Sequence, residues 1–277
     1  MTTVTIARTG SAVRPTHRPG FSDLTRSEWT KLRTLRSTWW SLAVTIVAGL
    51  GFTIAATAVY TAHYNTLDPS TRAEFRSDTI GLILQPAAQF AVLAVCVLGV
   101  LLMAGEYSTG MIRATMLAAP KRTSALLAKG AAFAGLILVL SEVLAFACFF
   151  IGSAITSKHA SVSLTDPTTL RAVGAFGLYM TAMGLIALSV GALVRHTAAG
   201  VSIILAMQFV LPGVLSLIPG SLGEHLSGAL PSGASVMMSS GHNASNTYSP
   251  LQGLGILAAW TVVLGAAALV SIKKRDV

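Results

Sequence analysis

Residues 86–104 read PAAQFAVLAVCVLGVLLMA, and residues 105–130 continue GEYSTGMIRATMLAAPKRTSALLAKG. The change of character at Gly105 decides the fold. The first part carries no charge and approaches the ~20 residues that a helix needs to cross a hydrocarbon core. The second part holds one carboxylate, Glu106, and four cations, Arg113, Lys121, Arg122 and Lys129, before another long apolar run begins. Helix–helix connections commonly take about 2–8 residues, so a patterned connection of this length asks for a purpose.

The whole chain repeats that contrast. It is 53% hydrophobic and only 10% charged, with a mean hydropathy of +0.70, against a usual charged share of about a quarter. Too little polar surface exists to cover an ordinary soluble core, which leaves the class of all-α polytopic membrane proteins. The net charge of +9 does not mark a nucleic-acid binder. Its cations flank the apolar runs and form no separate basic domain, as the positive-inside rule expects. Cys96 and Cys148 both fall inside apolar runs and read as small buried hydrophobes.

Six spans are expected, at Trp39–Tyr60, Pro86–Ala104, Gly130–Ile155, Val173–Val194, Ala198–Ile218 and Leu251–Ile272. The fourth and fifth are separated only by Arg195-His196-Thr197 and form a tight hairpin. With the N-terminus inside, fifteen of the nineteen Lys and Arg residues face the cytoplasm; Arg72, Arg76, Lys158 and Arg171 remain outside. Both termini are therefore expected in the cytoplasm of a multi-pass plasma-membrane protein.

Residues 1–20 are basic, acid-free and interrupted by Pro15 and Pro19, which reads as a disordered leader ahead of a six-helix transmembrane domain at 21–277. The first apolar run is too long for a signal-peptide core. Then comes FSDLTRSEWTKLRTLRSTWW, residues 21–40. Ser22 or Asp23 is placed to cap a helix whose Leu24, Trp29, Leu32 and Leu35 keep helical spacing. Arg26, Lys31, Arg33 and Arg36 fall largely on other faces. An amphipathic helix on the inner membrane surface is the reading, with Glu28 and Lys31 alongside the apolar Trp29 and Leu32; a basic stop that merely sets topology is the alternative. The loop from Pro219 to Pro250 has no Lys or Arg. Its apolar pieces Leu222–Leu230 and Ala234–Met238 read as short helices dipping into the outer leaflet, or as parts of a floppy loop.

No P-loop, H-E-x-x-H or paired-cysteine spacing occurs, and six scattered histidines make no metal site. Ser235 and His242 share a loop, but Gly233-Ala234-Ser235-Val236-Met237 lacks the second glycine of a nucleophile elbow. No catalytic residue or bound cofactor is expected. One ionisable side chain lies deep in a span: Glu142, in LILVLSEVLAFA. A charge there costs at least ~2.5–3.5 kcal/mol. Two readings stand for it, a residue lining a transport path or an interhelical hydrogen bond with Ser141, Thr181, Ser189 or Gln208.

The long connection of 105–130 can now be placed on the cytoplasmic side. Ser108 or Thr109 can start a helix with Met111, Ile112, Thr115 and Met116 on one face and Arg113 on the other, stopped by Pro120. Such a helix offers Met and Ile to a soluble partner, or rests on lipid. SEWTKLRTLRSTWW followed by GEYSTGMIRATMLAAPKR resembles the permease subunit of type-2 ABC exporters, especially the small actinobacterial kind. The resemblance is motif-specific in these two stretches and covers the rest in topology.

The resemblance implies six spans, an elbow helix over Glu28, Trp29, Lys31 and Leu32, and a coupling segment from Tyr107 to Leu117. Its E-x-x-x-G pattern falls on Glu106 and Gly110, with Tyr107, Ser108, Thr109, Met111, Ile112 and Arg113 around it. It further implies a permease homodimer or heterodimer in the bilayer and a separate ABC ATPase subunit that uses ATP and Mg. An ion-coupled carrier or channel with Glu142 as coupling residue is the second possibility, and a membrane-anchored scaffold or sensor the third.

Overall fold

A computed structural model describes residues 20–112, 122–240 and 247–274. The regular structure is all helical, with no strand among the described residues. It runs α1 (Phe21–Thr34), α2 (Arg36–Ala62), α3 (Pro69–Ser77), α4 (Thr79–Ser108), α5 (Arg122–Thr156), α6 (Pro167–Val194), α7 (Thr197–Leu205), α8 (Leu211–Leu215), α9 (Ser221–Gly228) and α10 (Pro250–Lys274). A π turn at Ala206–Val210 joins α7 to α8, and 3-10 turns occupy Tyr64–Thr66 and Ser232–Met238. The six expected spans are α2, α4, α5, α6, α7 through α8, and α10. The protein is an all-α polytopic membrane protein.

Most spans are longer than their apolar windows suggest, because polar caps carry the helices past the hydrocarbon stretch. The second begins at Thr79, well before Pro86, with the Asp78 carboxylate accepting from the Gly81 amide at 3.1 Å. The fourth begins at Pro167, behind Asp166, whose carboxylate accepts from Thr168 at 3.0 Å. Both are N-cap arrangements that satisfy amides left open at a helix start. The fifth span is the exception to regularity. Pro212 has no N–H to offer the carbonyl four residues back, and the Leu211 amide reaches instead to Ala206 O, which widens the helix into its π turn.

α4 and α6 form the inner pair. The central window is 61% buried in α4 and 67% in α6, against 17–33% in the other spans. Lipid tails are as apolar as Leu, so the hydrophobic effect does not pair helices here; close packing and polar contacts must. A side chain at Gly99 would meet Gly184 O at 2.7 Å, and one at Gly191 would meet Val100 O at 3.0 Å. Bare backbone at these two places lets the inner helices touch.

The two ends of the bundle differ. One, the basic end, gathers α1, the close of α4, the start of α5, Arg195-His196 and the C-terminal Lys273-Lys274. The opposite end carries α3, α9 and the 3-10 turn over Ser232–Met238. This last segment does form two short helical pieces, close to Leu222–Leu230 and Ala234–Met238. Ala234, Met237 and Met238 are buried in the core. The segment is pinned by long-range bonds: Arg171 Nη2 donates to Ser239 O at 2.8 Å, the Ser240 amide to Asp78 Oδ1 at 2.6 Å, and Trp260 Nε1 to Ala229 O at 2.9 Å.

Three local expectations change. α1 starts at Phe21 with Gly20 as N-cap, so neither Ser22 nor Asp23 caps it; the Asp23 carboxylate instead accepts from the Gly20 amide at 2.9 Å. The fourth and fifth spans are separated by Arg195 and His196 alone, since Thr197 already begins α7. The helix after the second span does not start at Ser108 or Thr109, because α4 continues through Ser108 and Thr109 is its C-cap. The leader residues 1–19, Arg113 through Lys121, and His242 lie outside the described residues.

Candidate functional site: an ionic cluster at the basic end

α1 lies across the start of α5, and its buried positions are Glu28 and Leu32, one turn apart. Trp29 and Leu35 face outward, 39% and 42% exposed. The inward stripe of the elbow helix therefore includes a carboxylate, which an apolar-face reading passes over. Lys31, expected on another face, stands three residues after Glu28 and so beside it on the helix surface. Its ammonium sits 2.6 Å from Glu28 Oε1 and 3.3 Å from Glu106 Oε1.

Glu106 comes from the last turn of α4, and its partner from α5 is Lys129. Lys129 Nζ donates to Glu28 Oε2 at 2.6 Å and to Glu106 Oε1 at 2.8 Å. Glu28, Glu106 and Lys129 are 6%, 8% and 5% exposed. Two carboxylates and two ammonium groups thus neutralise one another across three helices. Their shared geometry is what makes burial tolerable, since an isolated buried ion costs several kcal/mol. Burial pushes the Glu28 carboxyl up, but the charges and hydrogen bonds of Lys129 and Lys31 outweigh it and hold Glu28 below its ordinary value. Lys31 answers in kind: burial lowers it, the Glu28 hydrogen bond and the Glu106 charge raise it, and the net direction is up. Glu106 Oε2 is buried and has no hydrogen-bond partner among the described residues.

The chain leaves this cluster abruptly. Thr109 and Gly110 amides still bond back to Gly105 O and Tyr107 O, at 3.1 and 3.3 Å, and Gly110 takes φ +72°. A Cβ is disfavoured there, so glycine four residues after Glu106 is what lets α4 end sharply. Met111 and Ile112 turn helical again; Ile112 is buried and Met111 exposed. Tyr107 and Ser108 consequently belong to the last turn of the second span and not to the connecting segment. Tyr107 has its own neighbour. The Arg195 guanidinium lies 4.9 Å from its ring centroid, a cation–π contact that ties the hairpin between α6 and α7 to the same end of the bundle. Beside the cluster opens a cavity of about 390 Å³, walled by Leu32, Leu35, Leu101, Leu102 and Met111.

The fold thus brings Glu28, Lys31 and Glu106 together and adds Lys129, which sequence reading treated only as a topological cation. A signal existed: Lys129 interrupts the apolar run SALLAKGAAFAG, where an unpaired charge would be costly. Trp29 does not join the cluster, Leu32 supports it by packing, and Arg113 lies outside the described residues.

Glu142 is placed apart, near the middle of α5. None of the partners expected for it bonds to it among the described residues. Thr181 donates to Gly177 O, Ser189 to Leu185 O, and Gln208 to Gln89 Oε1 and Tyr179 OH, while Ser141 Oγ has no partner among the described residues. The carboxyl packs instead against Gly177, where an added Cβ would fall 2.2 Å from Oε1. Small hydroxyls in helices bond to their own preceding carbonyls, which takes Thr181 and Ser189 out of play. Among the described residues no group of His, Cys, Asp and Glu is arranged to hold a metal ion. No family model matches the chain, and no curated protein does.

Proposed function

We propose that this chain is the membrane-spanning permease subunit of an ATP-driven exporter of the type-2 ABC kind, paired with a second permease and coupled to a soluble ATPase subunit that uses ATP and Mg. In this reading both termini and the basic end lie in the cytoplasm of a plasma-membrane protein. The observation that carries it is the buried cluster of Glu28, Lys31, Glu106 and Lys129. A push on the segment after Gly110 meets, at its root, an ionic knot joining the elbow helix, the second span and the third. Force applied there moves three helices together and does not dissipate in a flexible loop. The long connection of 105–130 then has a purpose, as the contact through which a partner works.

The test is purification of the chain from its own membrane in mild detergent, with mass spectrometry of whatever accompanies it in fixed ratio. A soluble subunit carrying a P-loop is the expected result. Recovery of the chain alone, with no ATPase activity, overturns the reading. A second reading, an ion-coupled carrier, is favoured by one observation: the Glu142 carboxyl has no ion-pair or hydrogen-bond partner among the described residues. It predicts substrate uptake driven by an ion gradient in vesicles holding this chain only, abolished in Glu142→Gln.

A further inference from the structure

Glu142 is not merely unpartnered; it lines a groove. A depression of about 580 Å³ runs between α5, α6 and α10, with Arg171, Gly174, Leu178, Met237 and Leu254 among its walls. Its lining is apolar apart from Glu142 and Arg171. Arg171 stands near the start of α6 and is tethered to Ser239 O, which places it at the opposite end of the bundle. Glu142 follows Lys129 by thirteen residues in one continuous helix, so it lies about 20 Å along the axis from the basic end. The groove accordingly reaches from the membrane surface to mid-depth and has a carboxyl near its inner end, one turn short of Leu138.

Charge decides what fits. A carboxylate facing an acyl chain at mid-depth is costly, and a phospholipid keeps its ammonium in the headgroup zone, out of reach of Glu142. An amine carried directly on an alkyl chain or fused rings can lie within the hydrocarbon and meet the carboxyl. We infer that the groove between α5, α6 and α10 is a binding site for a hydrophobic amine taken from the lipid phase, with Glu142 as the counter-ion and Leu178, Met237 and Leu254 packing its apolar body. Gly177 supplies the notch that holds the carboxyl in place, and Gly174 leaves the groove open, since a Cβ there would meet nothing within 4 Å.

The site does not depend on which transport mechanism the chain uses, and binding can be read without transport. The experiment uses the full chain in phosphatidylcholine nanodiscs with a diazirine-bearing dodecylamine, and the matching dodecanol as control, with mass-spectrometric mapping of the labelled peptides. Saturable amine labelling around Leu178 and Leu254 is expected. Loss of one charge-assisted contact corresponds to about a 10–100-fold weakening, so Glu142→Gln should show a drop of that order with the amine and none with the alcohol. Gly174→Leu, which fills open space and leaves Glu142 untouched, should block both. Equal labelling by amine and alcohol, or amine labelling unchanged in Glu142→Gln, overturns the site and marks the groove as a resting place for lipid tails. Should Glu142→Gln fail to fold, full amine labelling in Gly174→Leu overturns it equally. Either failure leaves the exporter reading standing, because no ATPase or flux enters the measurement.

Discussion

The ionic cluster at the basic end and Glu142 in mid-span are both carboxylates inside a membrane protein, handled in opposite ways. Glu28 and Glu106 are each held by ammonium groups from another helix, at distances of 2.6–3.3 Å. Glu142 is given a glycine notch and an open groove, and no hydrogen-bond or ion-pair partner among the described residues. A charge-balanced network across three helices holds them in fixed relation. A solitary carboxyl at a groove holds nothing together and remains available to a ligand. The difference is the ground on which the first region is proposed as a mechanical linkage and the second as a ligand site.

The comparison breaks first at Lys129. Lys129→Met would leave Glu28 and Glu106 facing each other, with only the half-exposed Lys31 between them. Removing one partner of a buried pair typically costs about 3–5 kcal/mol, so a large fall in thermal stability in detergent is expected, together with loss of substrate flux. A melting temperature within error of the parent would show that the cluster links nothing.

Acid and base should find the same weak point. The native value of Glu28 is lowered from an ordinary 4.5, so its contribution is complete above 4.5 and disappears as pH falls through the lowered value. Lys31 is raised from an ordinary 10.5, so its contribution is complete below 10.5 and disappears as pH climbs past the raised value. Stability should therefore be level across neutral pH and fall at both extremes. In Glu28→Gln the acid limb should shrink; an acid limb identical to the parent's would place the acid-sensitive group elsewhere.

Smaller effects sharpen the contrast. Gly177→Ala puts a methyl where the Glu142 carboxyl packs, and overpacking costs about 1–3 kcal/mol, visible as a moderate loss of thermal stability that Glu142→Ala relieves. Absence of that relief would mean the strain is carried by the helices. Gly110→Ala forces a left-handed conformation on a residue with a Cβ, at about 1–2 kcal/mol. Because it alters the exit from α4 and not the packed spans, its main signature should be ATP turnover that persists in membranes while flux falls. Flux kept at the parent's level would remove the sharp turn from the coupling argument. Glu142→Gln should move stability least, within about 0.5 kcal/mol, since no partner is lost; a large loss would make the residue structural after all.

Much of this architecture was legible in the residues. The spans follow from apolar runs, and the clustering of cations at one end needs no fold to be seen. Glu106 and Gly110 were paired only by the resemblance to type-2 ABC permeases, and φ +72° gives the glycine at 110 a physical reason. Lys31 was set apart from the apolar stripe by its charge, although three residues after Glu28 it is that carboxylate's neighbour on the helix surface. Glu142 was given partners by residue type, and those hydroxyls turned out to be spent on their own helices.

The sequence by itself determined how often the chain crosses the membrane and which connections carry charge, because hydropathy and charge are local properties summed over a window. Only the tertiary structure decided which ions meet. Lys129 stands 101 positions from Glu28 and 23 from Glu106, and Lys31 stands 75 from Glu106. No periodicity links residues at such separations. They are joined where α1 packs against α5, and that packing is set over whole helix faces, where no single stretch of sequence holds the information.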